Sequence, residues 1–454
     1  MACFKRSVWA GESFSFFCHA LLSFTLSLIF VGRTAVDRNS DLSSLPILVQ
    51  RFLGYTQIVT TADEHSETNP SSEGQLEFAE ALVKELQSFG VEEVRLTAEG
   101  IVMATIPASP GCETAPAMGL IAHMDTSPDA VGGPVNWRIT RYQGNDIVLN
   151  AEHEITLSPN RFPELNRYIG QDIIVTDGTT LLGADDKAGV AIVMSVVETL
   201  MKNPRLPHAK LCIAFTPDEE ISRGTDHFDL KAFGADYAYT IDGGELGELD
   251  SETFNAAIAR VTFNGLSVHP GYAKGKMINA AMMLNDFLKA LPRDETPERT
   301  EGYEGYYHLI RMEGTVERAS AILLIRDHDR DAFEVRKSRL AARAEDYNRG
   351  SRRVVEVKIK DQYYNMKDKL KETPVVLSIA RAAMESVGVM PVEKPIRGGT
   401  DGARLTQMGL PCPNIFTGGM NYHGIYECLP IPSFVKAYEV VLEVASRSAR
   451  VKSL

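Results

Sequence analysis

Two adjacent aspartates, Asp185 and Asp186, stand where a glycine turn meets an apolar run in the stretch LLGADDKAGVAIVM. Adjacent carboxylates repel each other and resist burial, so some positive charge is needed to keep both in an apolar setting. Capping and the helix dipole explain one aspartate at the start of a helix. A bound divalent cation would account for the other.

Side chains that can bind a metal also follow four apolar runs of strand length. The runs are AMGLIAHMD, KLCIAFTPDEE, DYAYTIDGG and CPNIFTGGMNYHG, and the candidate residues at their ends are His123, Asp125, Glu219, Glu220, Asp242 and His423. In open α/β sheets, ligands bind beyond the carboxyl ends of the strands. We therefore expect these side chains to converge at one edge of a sheet.

Taken one at a time, these residues have ordinary structural explanations. Asp125 could form an Asx turn, and Glu219 and Glu220 could belong to a solvated acidic loop. Spacing alone also allows His123 and Asp125, two apart on a strand, to bind one ion together. Taken jointly, the segments supply enough carboxylates for two divalent ions that share one carboxylate, and this favours a metal site.

Short apolar runs alternate with helical stretches from residue 48 onwards, which is typical of an α/β domain with a largely parallel sheet. Between residues 254 and 365 the order becomes strand, helix, strand, strand, helix, strand, the split βαβ or ferredoxin-like arrangement. We therefore predict a catalytic domain in two parts, residues 46–253 and 366–454, with an inserted domain at 254–365.

Residues 1–45 differ from the rest of the chain. Lys5 and Arg6 precede the apolar run FSFFCHALLSFTLSLIFVG, an order that resembles a signal peptide or a membrane anchor. His19 interrupts the run, and no clean small-x-small cleavage site follows it. A translated upstream extension that is not part of the working protein is the alternative interpretation.

Composition narrows the classes of function. The net charge is −13, and no Lys/Arg-rich block is long enough to follow a phosphate backbone, which argues against a nucleic-acid partner. The six cysteines show no C-x-x-C spacing, so neither a disulfide framework nor a thiolate zinc site is indicated. Any metal would have to be bound by His, Asp and Glu.

Eight motifs occur in order between about residue 48 and the C-terminus: HMDTSPD, LLGADDKAG, TPDEEISRG, TIDGGELGELDSETFNAA, SVHPGYAKGKMINAA, RMEGTVERA, IRGGTDGARL and LPCPNIFTGGMNYHG. The set resembles the peptidase T family, the tripeptide aminopeptidases of the di-zinc aminoacylase/carboxypeptidase superfamily. The resemblance implies two zinc ions per subunit, bridged by Asp185. His123 and Asp242 would complete one zinc site. Glu220 and His423 would complete the other.

The resemblance also implies catalytic and substrate-binding roles. Glu219 would be the general base, and Asp125 would orient His123 rather than bind the ion, which corrects the pairing that spacing alone allows. His269 in SVHPG would help to stabilise the oxyanion, while Arg326 and Arg397 would bind the terminal carboxylate of the peptide. The inserted domain would act as a lid and as the surface of a homodimer, and the family is usually cytoplasmic.

We therefore predict a zinc-dependent enzyme that removes the N-terminal residue from tripeptides by Glu219-assisted attack of a zinc-bridging water. One alternative is a related di-zinc dipeptidase, carboxypeptidase or N-acyl-amino-acid deacylase. A second alternative, from another class, is a non-catalytic metal-binding protein, which would have no use for a base beside Glu220. After His423 the chain reads GIYECLPIPS, where the family more often has a charged stretch ending in Glu-Phe.

Overall fold

The computed structural model describes residues 36–38, 40–349 and 354–454. The apolar run at residues 14–32 lies outside the described residues, and so do the predictions made for it. Val36 and Asp37 already form a strand that pairs with Arg138–Arg141, so the fold includes residues that were assigned to the N-terminal segment. Among the described helices, none combines the length and the hydropathy needed to span a bilayer.

The strands of the described residues are, in chain order, β1 (Val36–Asp37), β2 (Glu93–Leu96), β3 (Val102–Ile106), β4 (Met118–His123), β5 (Arg138–Arg141), β6 (Ile147–Asn150), β7 (Ile155–Leu157), β8 (Asp172–Val175), β9 (Leu211–Thr216), β10 (Tyr237–Gly243), β11 (Leu249–Asp250), β12 (Asn255–Asn264), β13 (Tyr306–Gly314), β14 (Arg318–Asp327), β15 (Val355–Tyr363), β16 (Asn414–Phe416) and β17 (Cys428–Pro430). The α-helices are α1 (Ile47–Tyr55), α2 (Glu73–Ser88), α3 (Ala184–Lys202), α4 (Leu230–Phe233), α5 (Ala280–Lys289), α6 (Arg330–Tyr347), α7 (Lys367–Leu370), α8 (Pro374–Ser386), α9 (Asp401–Met408) and α10 (Ile431–Ser448).

The central sheet has seven strands in the order β11-β16-β10-β4-β9-β3-β2. β16, β10, β4 and β9 run parallel, whereas the strands at both edges pair antiparallel. β4 and β9 are buried along their whole length and are apolar without alternation, as expected of parallel strands that are covered on both faces. The predicted parallel arrangement therefore holds at the centre, and the sheet as a whole is mixed.

The helix that follows the aspartate pair packs directly on the central strands. α3 contacts β4 and β10, and its residues 188–197 are all buried. Gly189 approaches the Ile241 carbonyl so closely that a Cβ in its place would lie 1.8 Å from that oxygen. Only glycine fits this contact, which brings the start of α3 beside the end of β10.

The strands β12 to β15 form a separate antiparallel sheet in the order β13-β14-β12-β15. α5 and α6 pack on this sheet and share with it a hydrophobic core that includes Phe263, Phe287 and Phe333. The predicted order of strand, helix, strand, strand, helix, strand is confirmed. A further sheet, β1-β5-β8-β17, and the hairpin β6-β7 complete the fold.

Two connecting segments, or crossings, join the four-stranded sheet to the rest of the protein: one enters it before β12 and the other leaves it after β15. The N–H of Asn365 donates to Oδ1 of Asn255 at 3.1 Å. Nδ2 of Asn255 in turn donates to the carbonyls of Asp327 and His328, both at 3.0 Å. The two crossings are therefore tied to each other and to the end of β14.

Candidate metal centre

The predicted ligands converge at the carboxyl ends of the parallel strands. His123 ends β4, Asp242 lies near the end of β10, and Glu220 follows β9. Asp185 lies at the start of α3, and His423 lies in the loop between β16 and β17. Contacts of 3.0 to 3.5 Å join all five side chains into one cluster.

Asp185 stands between the two histidines and directs one carboxylate oxygen at each. Its Oδ1 lies 3.0 Å from Nε2 of His123, and its Oδ2 lies 3.2 Å from Nε2 of His423. Asp242 Oδ1 is 3.5 Å from the same His123 nitrogen, and Glu220 Oε2 is 3.0 Å from the same His423 nitrogen. The cluster therefore consists of two sets of three ligand atoms that share one aspartate.

The spacing of these atoms suits zinc. Zinc binds nitrogen and oxygen at about 2.0–2.2 Å in tetrahedral geometry, which places neighbouring ligand atoms about 3.3–3.6 Å apart. The nitrogen–oxygen separations of 3.0 to 3.5 Å are close to that range. His123, Asp185 and Glu220 also offer ligand atoms within 4.8 Å of one another. The residues present thus fit two divalent ions.

Burial makes Glu220 and Asp242 costly to ionise, whereas at Asp185 burial is outweighed by hydrogen bonds from His123 and His423, which lower its pKa. Burial, followed by the negative charge of Asp185, raises the pKa of Glu220 to about 8 and that of Asp242 to about 7. Glu220 Oε1 is buried and has no hydrogen-bond partner in the described part of the chain. Burial lowers the pKa of His423, but hydrogen bonds to Asp185 and Glu220 outweigh it and raise that pKa to about 12. These features indicate a site that additional positive charge, such as that of bound metal ions, would stabilise.

Asp186 is used differently from its neighbour. Its Oδ2 accepts the backbone N–H of His123 at 3.1 Å, and its Oδ1 accepts that of Gly189 at 3.0 Å. Asp186 lies close enough to His123 and Asp242 to be a possible ligand, but both of its oxygens already accept backbone donors. The peptide bond between the two aspartates is cis. Asp186 thus holds the turn at the start of α3, as the capping explanation predicts.

Asp125 lies behind the cluster and connects two of its segments. Its Oδ1 is 3.3 Å from Nδ1 of His123, the ring nitrogen that faces away from Asp185. Its two oxygens also accept the backbone N–H groups of Glu219 and Glu220, both at 3.0 Å. Because the carboxylate is fully buried among these donors, the geometry favours an orienting role for Asp125 over the shared ligation that spacing alone allows.

Asp218, whose backbone is in the left-handed conformation, precedes the two glutamates and sets the direction of their segment. Asp218 has a φ of 58°, a conformation that costs a non-glycine residue about 1–2 kcal/mol. Its carboxylate accepts hydrogen bonds from Gln75 Nε2 at 2.8 Å and from both the N–H and the hydroxyl of Ser71. The N–H of Asp218 donates back to Gln75 Oε1 at 3.0 Å. Neither Ser71 nor Gln75 was predicted to support the site, because each is more than 140 residues away in sequence.

Glu427 is a second buried carboxylate that was not among the predicted residues. It is 1% exposed; its Oε2 accepts the N–H groups of Leu182 and Gly183 at 2.7 Å, and its Oε1 accepts that of Asp185 at 3.0 Å. Burial raises its pKa to about 7. The stretch GIYECLPIPS after His423 therefore retains one acidic residue, Glu427. This residue anchors the loop that carries Asp185. A single glutamate in a mostly apolar stretch was the only sequence signal.

Replacing Glu427 with glutamine is expected to lower the midpoint of thermal unfolding. The amide nitrogen of glutamine would face at least one of the three converging N–H groups, and an unsatisfied buried donor costs about 1–3 kcal/mol. Differential scanning calorimetry of this variant and of Glu80→Gln, a change at an exposed glutamate paired with Lys84, measures the difference. Equal midpoints would contradict the anchoring role.

The two arginines predicted to bind substrate differ in how many hydrogen bonds they already donate. Arg397 donates to two carbonyls and one hydroxyl of the loop 300–304. Arg326 is 8% exposed, donates to Gln362 at 2.8 Å, and lies over the ring of Tyr363 at 5.2 Å. Arg397 thus holds a loop, whereas Arg326 retains N–H groups that no described residue accepts.

His269 lies outside the cluster. It is exposed, and its Nδ1 accepts the N–H of Gly271 in its own turn at 3.1 Å. Its ring also contacts that of Tyr272, with centroids 5.5 Å apart. Among the described residues, it makes no hydrogen bond or ion pair with a predicted metal ligand, so its assignment to the oxyanion stays a prediction.

Residues 177–447, more than half of the chain, match the model of peptidase family M20/M25/M40. The matched stretch contains Asp185, Glu219, Glu220, Asp242 and His423. The fold and the paired ligand sets agree with this match, and the chain belongs to this family of peptidases.

Curated relatives within the family are named peptidase T. The peptidase T of Parabacteroides distasonis is 52% identical over 403 residues, which are 89% of this chain and 99% of the relative. The peptidase T of Halothermothrix orenii is 51% identical over 399 residues, 87% of this chain and 98% of the relative. The resemblance to the peptidase T family is therefore confirmed.

Solved structures share the fold at low sequence identity. The aminopeptidase PepT of Bacillus cereus matches with a TM-score of 0.67 at 22% identity, and a tripeptidase of Staphylococcus aureus with 0.69 at 20%; each match covers 89% of this chain and 98% of the other. A dinuclear metal-binding M20 peptidase of Bacillus subtilis matches with 0.60 at 15%, over 89% and 97% of the two chains. The predicted α/β peptidase architecture is confirmed.

Proposed function

We propose that this protein is a di-zinc aminopeptidase that hydrolyses the N-terminal residue from tripeptides. The observation that carries the proposal is Asp185, which directs one oxygen at each of two histidines beside a pair of glutamates. Membership of a peptidase family and relatives named peptidase T support peptide hydrolysis. The Staphylococcus aureus neighbour, which shares the fold, is named a tripeptidase.

In this proposal, His123, Asp242 and Asp185 would hold one zinc ion. His423, Glu220 and the shared Asp185 would hold the second. When bound there, the two ions would polarise the scissile carbonyl and acidify a water molecule. His123 and Asp242 stand on strand ends and Asp185 at a helix start, and these rigid elements set the spacing of three of the five ligands before any substrate binds.

Glu219 is the residue proposed to move the proton. Its N–H donates to Asp125, and its side chain is the member of the glutamate pair that forms no ion pair with either histidine among the described residues. Burial raises the pKa of Glu219 well above its usual value, against the attraction of His123. Its carboxylate would take a proton as water oxygen bonds to the carbonyl carbon, and return it to the amine as the C–N bond breaks.

Arg326 is better placed than Arg397 to bind the terminal carboxylate of a peptide. Arg397 is already committed to three acceptors, whereas Arg326 donates only to Gln362 among the described residues. Burial raises the pKa of Tyr363, whose ring lies under the Arg326 guanidinium, to about 12, with the charge of Arg326 opposing the rise and that of Glu219 adding to it. A guanidinium at a fixed distance from the reacting centre would select one peptide length.

Three further proposals come from the family resemblance: closure of the inserted domain over the site, a homodimer through that domain, and a cytoplasmic location. One structural feature supports the homodimer. The edge strand β13 exposes Leu309, Ile310 and Met312, and an edge with unpaired backbone and apolar side chains suits pairing with a second copy.

An assay with matched peptides tests the proposed function. With zinc present, the tripeptide Met-Ala-Ser is expected to yield methionine and Ala-Ser, with kcat/KM at least about 100-fold above that of Met-Ala, N-acetyl-Met-Ala-Ser and N-acetyl-methionine. The blocked tripeptide is the control, since it differs only in its amine.

The other outcomes distinguish the alternatives. Release of serine would indicate a carboxypeptidase, preference for Met-Ala a dipeptidase, and preference for N-acetyl-methionine a deacylase. Two bound metal ions without cleavage of any of these compounds would indicate a non-catalytic metal-binding protein. Each of these results would overturn the tripeptide aminopeptidase.

A further inference from the structure

His423 has a partner on the side of its ring that faces away from the cluster. Its Nε2 lies near Asp185 and Glu220, while its Nδ1 lies 3.3 Å from Oδ2 of Asp129. The residue has a φ of 60°, so its backbone is in the left-handed region. A non-glycine residue keeps such a conformation only when surrounding contacts hold it there.

The arrangement repeats the one around the other histidine. His123 directs Nε2 at Asp185 and Nδ1 at Asp125, where Nδ1 lies 3.1 Å from the backbone carbonyl oxygen and 3.3 Å from Oδ1. Asp125 and Asp129 belong to one segment, HMDTSPD, and lie four residues apart. One segment thus directs a carboxylate at the outer nitrogen of each histidine.

The backbone around Asp129 is anchored next to the bridging aspartate. The N–H of Asp129 donates to the hydroxyl of Ser127 at 3.3 Å, and Ser127 is buried. The carbonyl of Val131 accepts the N–H of Leu181 at 3.1 Å, in the loop that leads to Asp185. The position of Asp129 is therefore tied to the segment that carries the bridging carboxylate.

We propose that Asp129 is a positioning residue for the second metal site: it accepts the Nδ1–H of His423, fixes the tautomer and holds the ring with Nε2 towards the cluster. A histidine that binds a metal commonly donates its other N–H to a carboxylate, and this partner orients the ring and raises its basicity. The proposal rests on the metal centre of the proposed function.

Asp125 and Asp129 differ in exposure, and exposure determines how firmly each carboxylate holds its histidine. The side chain of Asp125 is fully buried, whereas that of Asp129 is 71% exposed and that of His423 is 42% exposed. An exposed pair is weaker and is screened by salt. We therefore infer that Asp129 holds its histidine less firmly than Asp125 does.

Zinc titrations of metal-stripped protein, in competition with a chromophoric chelator, test this inference. Wild-type protein is expected to show two zinc affinities. Asp129→Asn is expected to weaken one of them by about tenfold, the low end of the range for loss of an orienting partner, and to leave the other within about twofold. His423→Ala should abolish the same affinity that Asp129→Asn weakens, and Asp129→Glu should restore part of it.

The control is Asp294→Asn, since Asp294 is 90% exposed in the inserted domain and pairs with Arg299. Thermal unfolding of both variants checks that they fold, and 1 M NaCl should shrink the difference between wild type and Asp129→Asn. Unchanged zinc affinities in Asp129→Asn, or equal loss of both, would overturn the proposal. Wild-type protein that binds two zinc ions but leaves tripeptides intact would overturn the proposed function instead.

Discussion

Replacing Glu219 with glutamine is expected to lower kcat for tripeptide hydrolysis by about 10²- to 10⁴-fold while two metal ions remain bound. Glutamine has nearly the same shape, and its N–H would still donate to Asp125, so the backbone of the loop should not move. It cannot take a proton from water. Steady-state kinetics together with metal analysis of the purified variant by mass spectrometry measure both quantities.

Glu220 provides a matched control for this prediction, because it is adjacent in sequence and its N–H is held by the same aspartate. Glu220→Gln is expected to lose metal on the His423 side, since Oε2 of Glu220 lies 3.0 Å from the histidine nitrogen. The two variants should therefore differ in metal content. Normal turnover in Glu219→Gln would refute its role as the base, and loss of metal in that variant would make Glu219 a ligand.

Asp185→Asn is expected to weaken both metal sites and to abolish measurable turnover. The amide offers one oxygen and one NH2 group where each site now has a carboxylate oxygen, and one negative charge between two cations is lost. Loss of an orienting partner alone costs about 10- to 100-fold in metal affinity, so loss of the shared ligand should cost more than about 100-fold. Zinc titration of the metal-stripped variant measures this.

The neighbouring aspartate is the natural comparison. Both oxygens of Asp186 accept backbone N–H groups, so Asp186→Asn should lower the unfolding temperature and leave the stoichiometry at two zinc ions. If Asp186→Asn loses both ions and Asp185→Asn keeps them, the assignment of the bridging carboxylate is reversed.

The gathering of the ligands was predictable from sequence, because parallel strands bring their carboxyl ends to one edge. Apolar runs without alternation identified β4, β9 and β10, and each ends in or just before a residue of the cluster. The change of element order near residue 254 likewise predicted the four-stranded sheet with two helices. These features depend on local patterns of side chains, which a sequence displays directly.

The supports of the site were not predictable in the same way. Asp125 is buried under the N–H groups of Glu219 and Glu220, nearly a hundred residues later, and the spacing of His123 and Asp125 alone does not indicate these contacts. Glu427 and Asp129 have hydrogen-bonding partners more than 240 residues away. Such contacts follow from tertiary packing, and no local pattern encodes them. The hydrogen bonds from Arg397 to the loop 300–304 likewise follow from tertiary packing.

The cluster draws on residues from His123 to His423, and its central loop is held by Glu427. A polypeptide still being made on the ribosome lacks both His423 and Glu427 until synthesis has passed residue 427. Such a nascent chain has one complete ligand set at most and no anchor beneath the shared aspartate. Both ligand sets and their anchor can therefore be complete only after residue 427 has been synthesised, and hydrolytic capacity should not arise earlier.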